Sequence, residues 1–491
     1  MEYRFEQETK EIWRERFYRR DSFVTELEGV VPDVNEDVGR IASVQCTVTL
    51  KSKELESSTL RIGCEIEAVV LYITENADTV SSVRMAKELE QSFPLDDDVD
   101  EVQAVLRVGR CEARILNPRK LAVSVQLLCE SRAYCRDTLT LSLMPAGDAA
   151  PLLLGRAETA QTQAVTAVTE KTFAITESFV FPEERPAPSQ ILSHSLRFRL
   201  QEQNRIGTRL IVKGSMELSL LYRAENVVYP LRQTFTAPIS QIVDVGGEGA
   251  SCCTLQCVPT AVYLNLTDSI SGGKALDAEV HALLQAVCRS TEEIHYLSDA
   301  YSNVVPVKGS WQELTLESAG EMEKSRITAS ELIPVGEDCA DVLAVLPALS
   351  EESDGWNLEL DILYRSKNGD LAAAKRQMVL KGEAVPQEAR ILTATITQTD
   401  IVPEGEGLSC KAEAELVWQR LHSGAVQALN AVEADEEHPY DLSTLPSVTL
   451  VRVEGESLWE LARRYHSSTD AIAALNDTEE IAGRMLLIPR T

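Results

Sequence analysis

Apolar and polar residues alternate with a period of two along much of this chain. The clearest run is Leu60, Ile62, Cys64, Ile66, Ala68, Val70, Tyr72, with Arg61, Gly63, Glu65, Glu67 and Val69 between. Side chains on a strand point to opposite faces in turn, so each such set lines one face. The pattern recurs as Leu210, Val212, Gly214, Met216, Leu218, Leu220, Tyr222, and again as Trp356, Leu358, Leu360, Ile362, Tyr364. The opposite face is largely polar in the first and third runs, which predicts antiparallel sheets with one wet side.

Each run belongs to a longer repeated order. An apolar residue precedes proline at Val31-Pro32, Phe181-Pro182 and Ile333-Pro334. Nine residues after each proline stands an aliphatic residue: Ile41, Ile191 and Leu343. The alternating strand then ends in Leu71-Tyr72, Leu221-Tyr222 or Leu363-Tyr364, 40 residues past the proline in the first two cases and 30 in the third. Asn76, Asn226 and Asn368-Gly369 mark turns. A second alternating strand follows in each: Leu121 to Leu127, Leu276 to Leu284, and Leu408 to Trp418. Alternating strands separated by turn residues predict a β-sandwich or half-barrel per repeat. The expected division is a first repeat with an N-terminal extension over 1–150, a second over 170–298, and a shortened third over 324–433.

The segments between are less regular. Residues 145–169 are rich in Ala and Gly and read as a linker, and 299–323 read as a joint between the second and third repeats. Residues 434–446 are acidic and contain Pro439 and Pro446, as an exposed tether would. Glu6 to Asp21 carries Ile12, Trp13, Phe17 and Tyr18 among charges, which fits a short amphipathic helix or an edge strand, docked on the first repeat or, as a helix, on a partner.

The last residues, 447–491, have a different rhythm. Val448 to Val453 alternate as a strand, and Gly455 makes a turn. Ser457 with Glu460 forms a capping box, and the helix after it places Leu458, Leu461, Ala462 and Tyr465 on one face. Ser467 with Asp470 can cap a second helix bearing Ile472 and Leu475, which Asn476 stops. Gly483 leads to a strand from Met485 to Ile488 closed by Pro489. The predicted order is βααβ. The fold class expected of the whole is therefore mainly β: three tandem antiparallel β-sandwich-like repeats followed by a small βααβ domain.

The terminal wording, Gly455-Glu456-Ser457-Leu458-Trp459-Glu460-Leu461-Ala462, then Tyr465, Leu475-Asn476 and Gly483-x-x-Leu486-x-Ile488-Pro489, resembles the LysM family. That resemblance implies an N-acetylglucosamine-binding groove between two loops, here Glu454, Gly455, Glu456, Ser457 and Leu458 in the first and Asn476, Asp477, Thr478, Glu479, Glu480 and Ile481 in the second. The family's usual Asp and Thr are Glu456 and Ser457 here, and the second loop is acidic. The threefold apolar-Pro and Leu-Tyr order is similar to the SPOCS domain of spore-forming Firmicutes. Repeats with a LysM tail resemble a clostridial group of spore-coat morphogenetic scaffolds. That resemblance implies a mother-cell protein at the forespore surface whose LysM module docks on the stage IV sporulation ATPase. The alternative is a peptidoglycan-binding protein of the cell wall or cortex.

Charge and composition narrow the partners. Lys and Arg number 47 against 77 Asp and Glu, a net charge of −30. A strongly anionic surface repels nucleic-acid phosphates and anionic headgroups, so neither nucleic acid nor membrane insertion is expected. Apolar runs fall short of the ~20 residues a membrane span needs. The start, Met1 to Lys10, lacks a basic and then apolar signal segment, which places the chain in the cytoplasm. The eleven cysteines are odd in number and scattered, which fits free thiols, and Cys252-Cys253-x-x-x-Cys257 reads as buried strand cysteines rather than a zinc site. The six histidines, at 194, 281, 295, 422, 438 and 466, stand singly, with His466 expected in an exposed loop. No P-loop, nucleophile elbow or His-Glu-x-x-His is present, so neither an enzyme nor a bound metal or cofactor is expected.

Overall fold

Every alternating series lies on an extended strand in the computed structural model. It describes residues 3–491 except 57, 76–78, 96–98, 148–151, 226, 228, 247–250, 270–271, 336–338, 353–354, 384, 387–388, 406 and 477–482. The first six strands are β1 (Phe5–Val30), β2 (Val38–Glu56), β3 (Thr59–Thr74), β4 (Val80–Pro94), β5 (Glu101–Asn117) and β6 (Lys120–Pro145). β1 and β5 flank β6, and β2 and β4 flank β3, all antiparallel. The two layers share one apolar core, to which β3 contributes Leu60, Ile62, Ile66 and Tyr72 and β6 contributes Leu121, Val123, Val125 and Leu127.

The same pairing occurs twice more. β7 (Leu154–Val180), β8 (Pro188–Ile206), β9 (Arg209–Ala224), β10 (Leu231–Asp244), β11 (Ser251–Asp268) and β12 (Lys274–Tyr301) form the second unit. β13 (Val307–Pro334), β14 (Cys339–Glu352), β15 (Gly355–Ser366), β16 (Leu371–Gly382), β17 (Ala389–Glu404) and β18 (Gly407–Ala434) form the third. β1 meets β7 at Trp13 and Val165, joining the first two units in one six-stranded sheet. In the third unit β16 bends onto β13, with Ile327 opposite Gly382. A Cβ added at Gly382 would lie 2.2 Å from the Arg326 carbonyl oxygen, so the contact requires glycine.

The two sequence motifs share a core in every unit. Val31 shares a core with Tyr72, Phe181 with Tyr222, and Ile333 with Tyr364. Phe181 and Tyr222 meet edge to face at 5.3 Å. The tyrosine hydroxyl donates back to the loop after the proline, to the Glu36 carbonyl at 3.1 Å and to the Pro186 carbonyl at 3.4 Å. The leucine before each tyrosine points the other way. Leu71, Leu221 and Leu363 meet in one apolar cluster with Ile73, Val80, Leu192, Ala344 and Leu371, where the three units join. Strand alternation thus sends tyrosine into the home core and leucine into the common one.

A bulge opposite each Leu-Tyr pair recurs between Ile41 and Ser43, Ile191 and Ser193, and Val342 and Ala344. The third-unit counterpart of Ile41 and Ile191 is accordingly Val342, which faces Tyr364, and Leu343 is the bulged residue. The Asn368-Gly369 turn is present, with Gly369 N–H donating to the Ser366 carbonyl at 3.0 Å. Asn76 and Asn226 lie outside the described residues.

Several expected boundaries move. Glu6 to Asp21 is part of β1, docked at home on β6. The segment 145–169 is no linker beyond Leu154, because β7 starts there and pairs with β12. Likewise β13 occupies most of 299–323 and pairs with β18. These strand ends carry small or polar residues because their apolar faces meet other units rather than a core of their own. Leu141, Ile294, Tyr296, Leu314 and Ala428, drawn from all three units, pack together there. The Gln312 side-chain amide donates to the Thr140 carbonyl at 3.0 Å across the same seam. Cys253 and Cys288, opposite each other on β11 and β12, form a disulfide, which corrects the expectation of free thiols throughout. The reason is register: only the strand pairing brings these two residues face to face.

Two half-buried ionisable groups at unit boundaries oppose each other with pH. Burial, with Arg84 adding to it, pushes the His194 imidazole down to about 4. Its neutral form therefore contributes stability present above pH ~6.5 and lost as pH falls toward 4. Burial pushes the Asp361 carboxyl up to about 6, although Lys375 and the Val44 N–H favour its charge. A raised carboxyl contributes stability at low pH that is lost as pH rises through 6. Asp361→Asn is thus expected to raise stability by about 1–2 kcal/mol at pH 7.5, with a smaller gain at pH 5.5. Urea midpoints at the two pH values check this, and an equal gain at both would contradict it.

Candidate functional site

The chain ends in β19 (Val448–Arg452), α1 (Leu458–Arg464), α2 (Thr469–Asn476) and β20 (Met485–Pro489). β19 and β20 pair antiparallel, with Leu450 opposite Leu487. Leu461, Ala462, Ile472, Leu486 and Ile488 are buried together, with Leu458, Trp459 and Tyr465 packed against them. α1 starts at the expected capping box: the Glu460 N–H donates to Ser457 Oγ, and the Ser457 N–H donates to Glu460 Oε2 at 2.8 Å. The cap of α2 is Ser468 rather than Ser467, since Ala471 N–H donates to Ser468 Oγ at 3.1 Å. Ser467 is fully buried, and its carbonyl accepts a hydrogen bond from the Tyr301 hydroxyl at 2.7 Å.

This bond is part of an attachment that the sequence did not reveal. Tyr301, the last residue of β12, joins the terminal core and meets Trp459 edge to face at 4.8 Å. Asp299 accepts from Trp459 Nε1 at 2.9 Å and pairs with Arg463 at 3.0 Å. Asn303 donates to Thr491 Oγ1 at 3.1 Å. The acidic segment expected as a free tether, 434–446, is pinned as well. Tyr440 N–H donates to the Val304 carbonyl, Arg490 donates to the carbonyls of Leu442 and Leu445, and the Tyr440 ring meets His466 at 4.6 Å. His466 is half-buried in this joint, not an exposed loop residue. These contacts attach the terminal unit to the end of the second strand unit.

The first expected loop uses most of its polar groups internally. Gly455 turns the chain at a φ of 149°. Glu456 accepts the Glu454 N–H at 3.1 Å and pairs with Arg464 at 2.9 Å. Backbone N–H groups, then Arg464, hold its carboxyl below the ordinary range. Ser457 is occupied in the capping box, and Leu458 leans on the core. Glu454 is exposed. Asn476 donates to the carbonyls of Ile472 and Leu487 and accepts the Leu487 N–H, each at 2.7 Å, so its amide ties α2 to β20. That use leaves Asn476 a fold-holding residue. Asp477, Thr478, Glu479, Glu480 and Ile481 lie outside the described residues.

One accessible feature among the described residues of the unit is a sheet face. Residues opposite each other in an antiparallel pair share a face. Val448, Leu450, Leu487 and Met485 lie on the outer face, exposed by 47%, 58%, 41% and 54%. Arg452 stands opposite Met485 at its edge. Contiguous apolar surface of this kind marks interaction sites more often than scattered apolar residues do. Its signal was present in the sequence, since Val448 to Val453 is apolar at four of six positions and so apolar on both faces.

Among the described residues, no group of three or more His, Cys, Asp or Glu side chains is placed to hold a metal ion. No helix among them is long and apolar enough to cross a membrane. Comparison with family models, curated proteins and solved structures finds no match to this chain.

Proposed function

We propose that this chain is a non-enzymatic scaffold for spore-envelope assembly. In this reading the three strand units are copies of one SPOCS-like β domain. The βααβ unit is a LysM module that docks on a protein at the forespore surface, such as the stage IV sporulation ATPase, from the mother-cell cytoplasm. The single observation that carries the docking role is the outer face of β19 and β20, where Leu450 and Leu487 stand exposed side by side. Two further features support a protein rather than a glycan. The Ser457 and Asn476 side chains, expected to line a sugar groove, are bonded within the fold. The net charge of −30 also favours a partner with a basic surface.

The test uses the full chain carrying Leu450→Glu and Leu487→Glu. Surface substitutions of this kind usually change stability by under ~0.5 kcal/mol. Capture of the purified coat-base ATPase is expected to weaken on the order of a hundredfold, as the loss of two central apolar contacts would do. Unchanged capture would remove this surface from the docking role. Retention of the full chain on purified peptidoglycan, with no capture of the ATPase, would favour the N-acetylglucosamine reading instead.

A further inference from the structure

One cluster of charge sits where all three strand units meet. Glu15 on β1 is approached at 3.5 Å by Arg289 of β12 and at 3.5 Å by Arg390 of β17. The Tyr134 hydroxyl of β6 donates to the same Glu15 oxygen at 3.4 Å. Arg132, also on β6, stacks over Tyr18 at 5.1 Å, and Arg390 approaches the same ring at 5.8 Å. Arg20, the third cation at this ring, is neutralised by Glu130 at 3.3 Å and Glu351 at 3.2 Å. Three guanidinium groups therefore face one carboxylate, a local charge of +2 inside a chain of net charge −30.

The arrangement is under-satisfied in a directed way. Contacts of 3.5 Å are long for charge-assisted hydrogen bonds, which close to about 2.7–2.9 Å. Arg390 Nη2 is buried and has no hydrogen-bond partner among the described residues. Native folds rarely leave a buried donor unpaired, because its lost hydration is not replaced. Arg132 forms no ion pair among the described residues, and burial together with the Arg390 charge holds its guanidinium below its ordinary value. The arginines at Arg289 and Arg390 are 13% and 17% exposed, so solvent screens them weakly, while Tyr18, 42% exposed, marks an open side.

We infer that the junction binds a small oxyanion of the phosphate class between Arg132, Arg289 and Arg390. A dianion there neutralises the excess of two charges. Its oxygens accept from the unpaired Arg390 nitrogen and from Arg132, and the planar guanidinium fork suits such an acceptor. Because each arginine comes from a different strand unit, the bound anion fastens the three together. This inference stands independently of the docking role.

Thermal melting of the full chain in orthophosphate, against chloride at equal ionic strength, tests it. A saturable rise in Tm is expected for the parent chain. Arg390→Gln, which relieves repulsion, is expected to fold at least as well in phosphate-free buffer and to need about tenfold more phosphate for the same rise. If Arg390→Gln does not fold, Arg132→Gln beside the half-exposed Tyr18 gives the same comparison. Phenyl phosphate separates the two sources. A rise with orthophosphate alone assigns a free anion, and a rise with both assigns a phosphoryl group on a larger molecule. A non-saturating rise equal in parent and variant, as general exclusion of phosphate from the protein surface would give, or no rise at all, would overturn the site.

Discussion

Leu221→Ala is expected to destabilise the joint between the three strand units by about 2–5 kcal/mol, the range for emptying a buried leucine site. Leu221 is 3% exposed, yet its neighbours in the common cluster come from all three units, Leu71 and Ile73 from the first, Ala344 and Leu363 from the third. Each unit keeps its own core, since Tyr222 and Met216 face inward and are untouched. The loss should therefore appear as separation of units before the strands themselves melt. Limited proteolysis should then cut first between units, in the stretches around 146–153 and 302–306. Leu221→Asp, which would leave a carboxylate buried without a partner, should part the units at neutral pH. A single cooperative transition with an unchanged midpoint would show that the common cluster does not hold them.

Leu461→Ala has the second large expected effect, again about 2–5 kcal/mol, confined to the terminal unit. Leu461 is fully buried among Ala462, Ile472, Leu486 and Ile488, and a unit of this size has little other core to share the loss. Because Tyr301 belongs to both the terminal core and β12, melting of the unit should also release Trp459 from its edge contact and from Asp299. Tryptophan fluorescence should report this as an early transition that precedes the main unfolding. A variant whose early transition is absent and whose partner capture is intact would place the module's stability elsewhere.

The period-two pattern made the strands legible from residues alone. Leu60 to Tyr72, Leu210 to Tyr222 and Trp356 to Tyr364 lie on β3, β9 and β15, because a half-buried antiparallel strand has no other way to sort its side chains. What the pattern could not give was the second destination of the leucines. Leu71 and Leu221 read as ordinary strand residues on the more polar face until the three units are brought together. The shared surface also hid β7 and β13, whose Ala, Thr and Gln positions face other units and so lack the apolar contrast of a free-standing strand. Bulges shift the count by one, which is why Leu343 stood in for Val342. The capping box at Ser457 was readable because its two partners are three residues apart in sequence. Ser467 and Ser468 are adjacent hydroxyls, and only the fold shows which one turns to the helix. The Cys253–Cys288 pair and the junction arginines depend on register and on contacts between residues more than 30 positions apart, for which a single sequence carries no local signal.

In the terminal unit, several side chains expected to line a groove are engaged within the fold. Glu454 to Leu458 form the expected turn, but the side chains of Glu456, Ser457 and Asn476 stabilise the unit itself. The exposed apolar face of β19 and β20 follows from a strand that is apolar on both sides, where one side has a core to fill and the other does not.

Amide hydrogen exchange of the full chain, alone and with the purified coat-base ATPase, tests the docking role most directly. Slower exchange is expected across 448–452 and 485–489 on addition of the ATPase, with no change there on addition of peptidoglycan fragments. Protection of 454–458 by the fragments, with 448–452 and 485–489 unchanged by the ATPase, would contradict it.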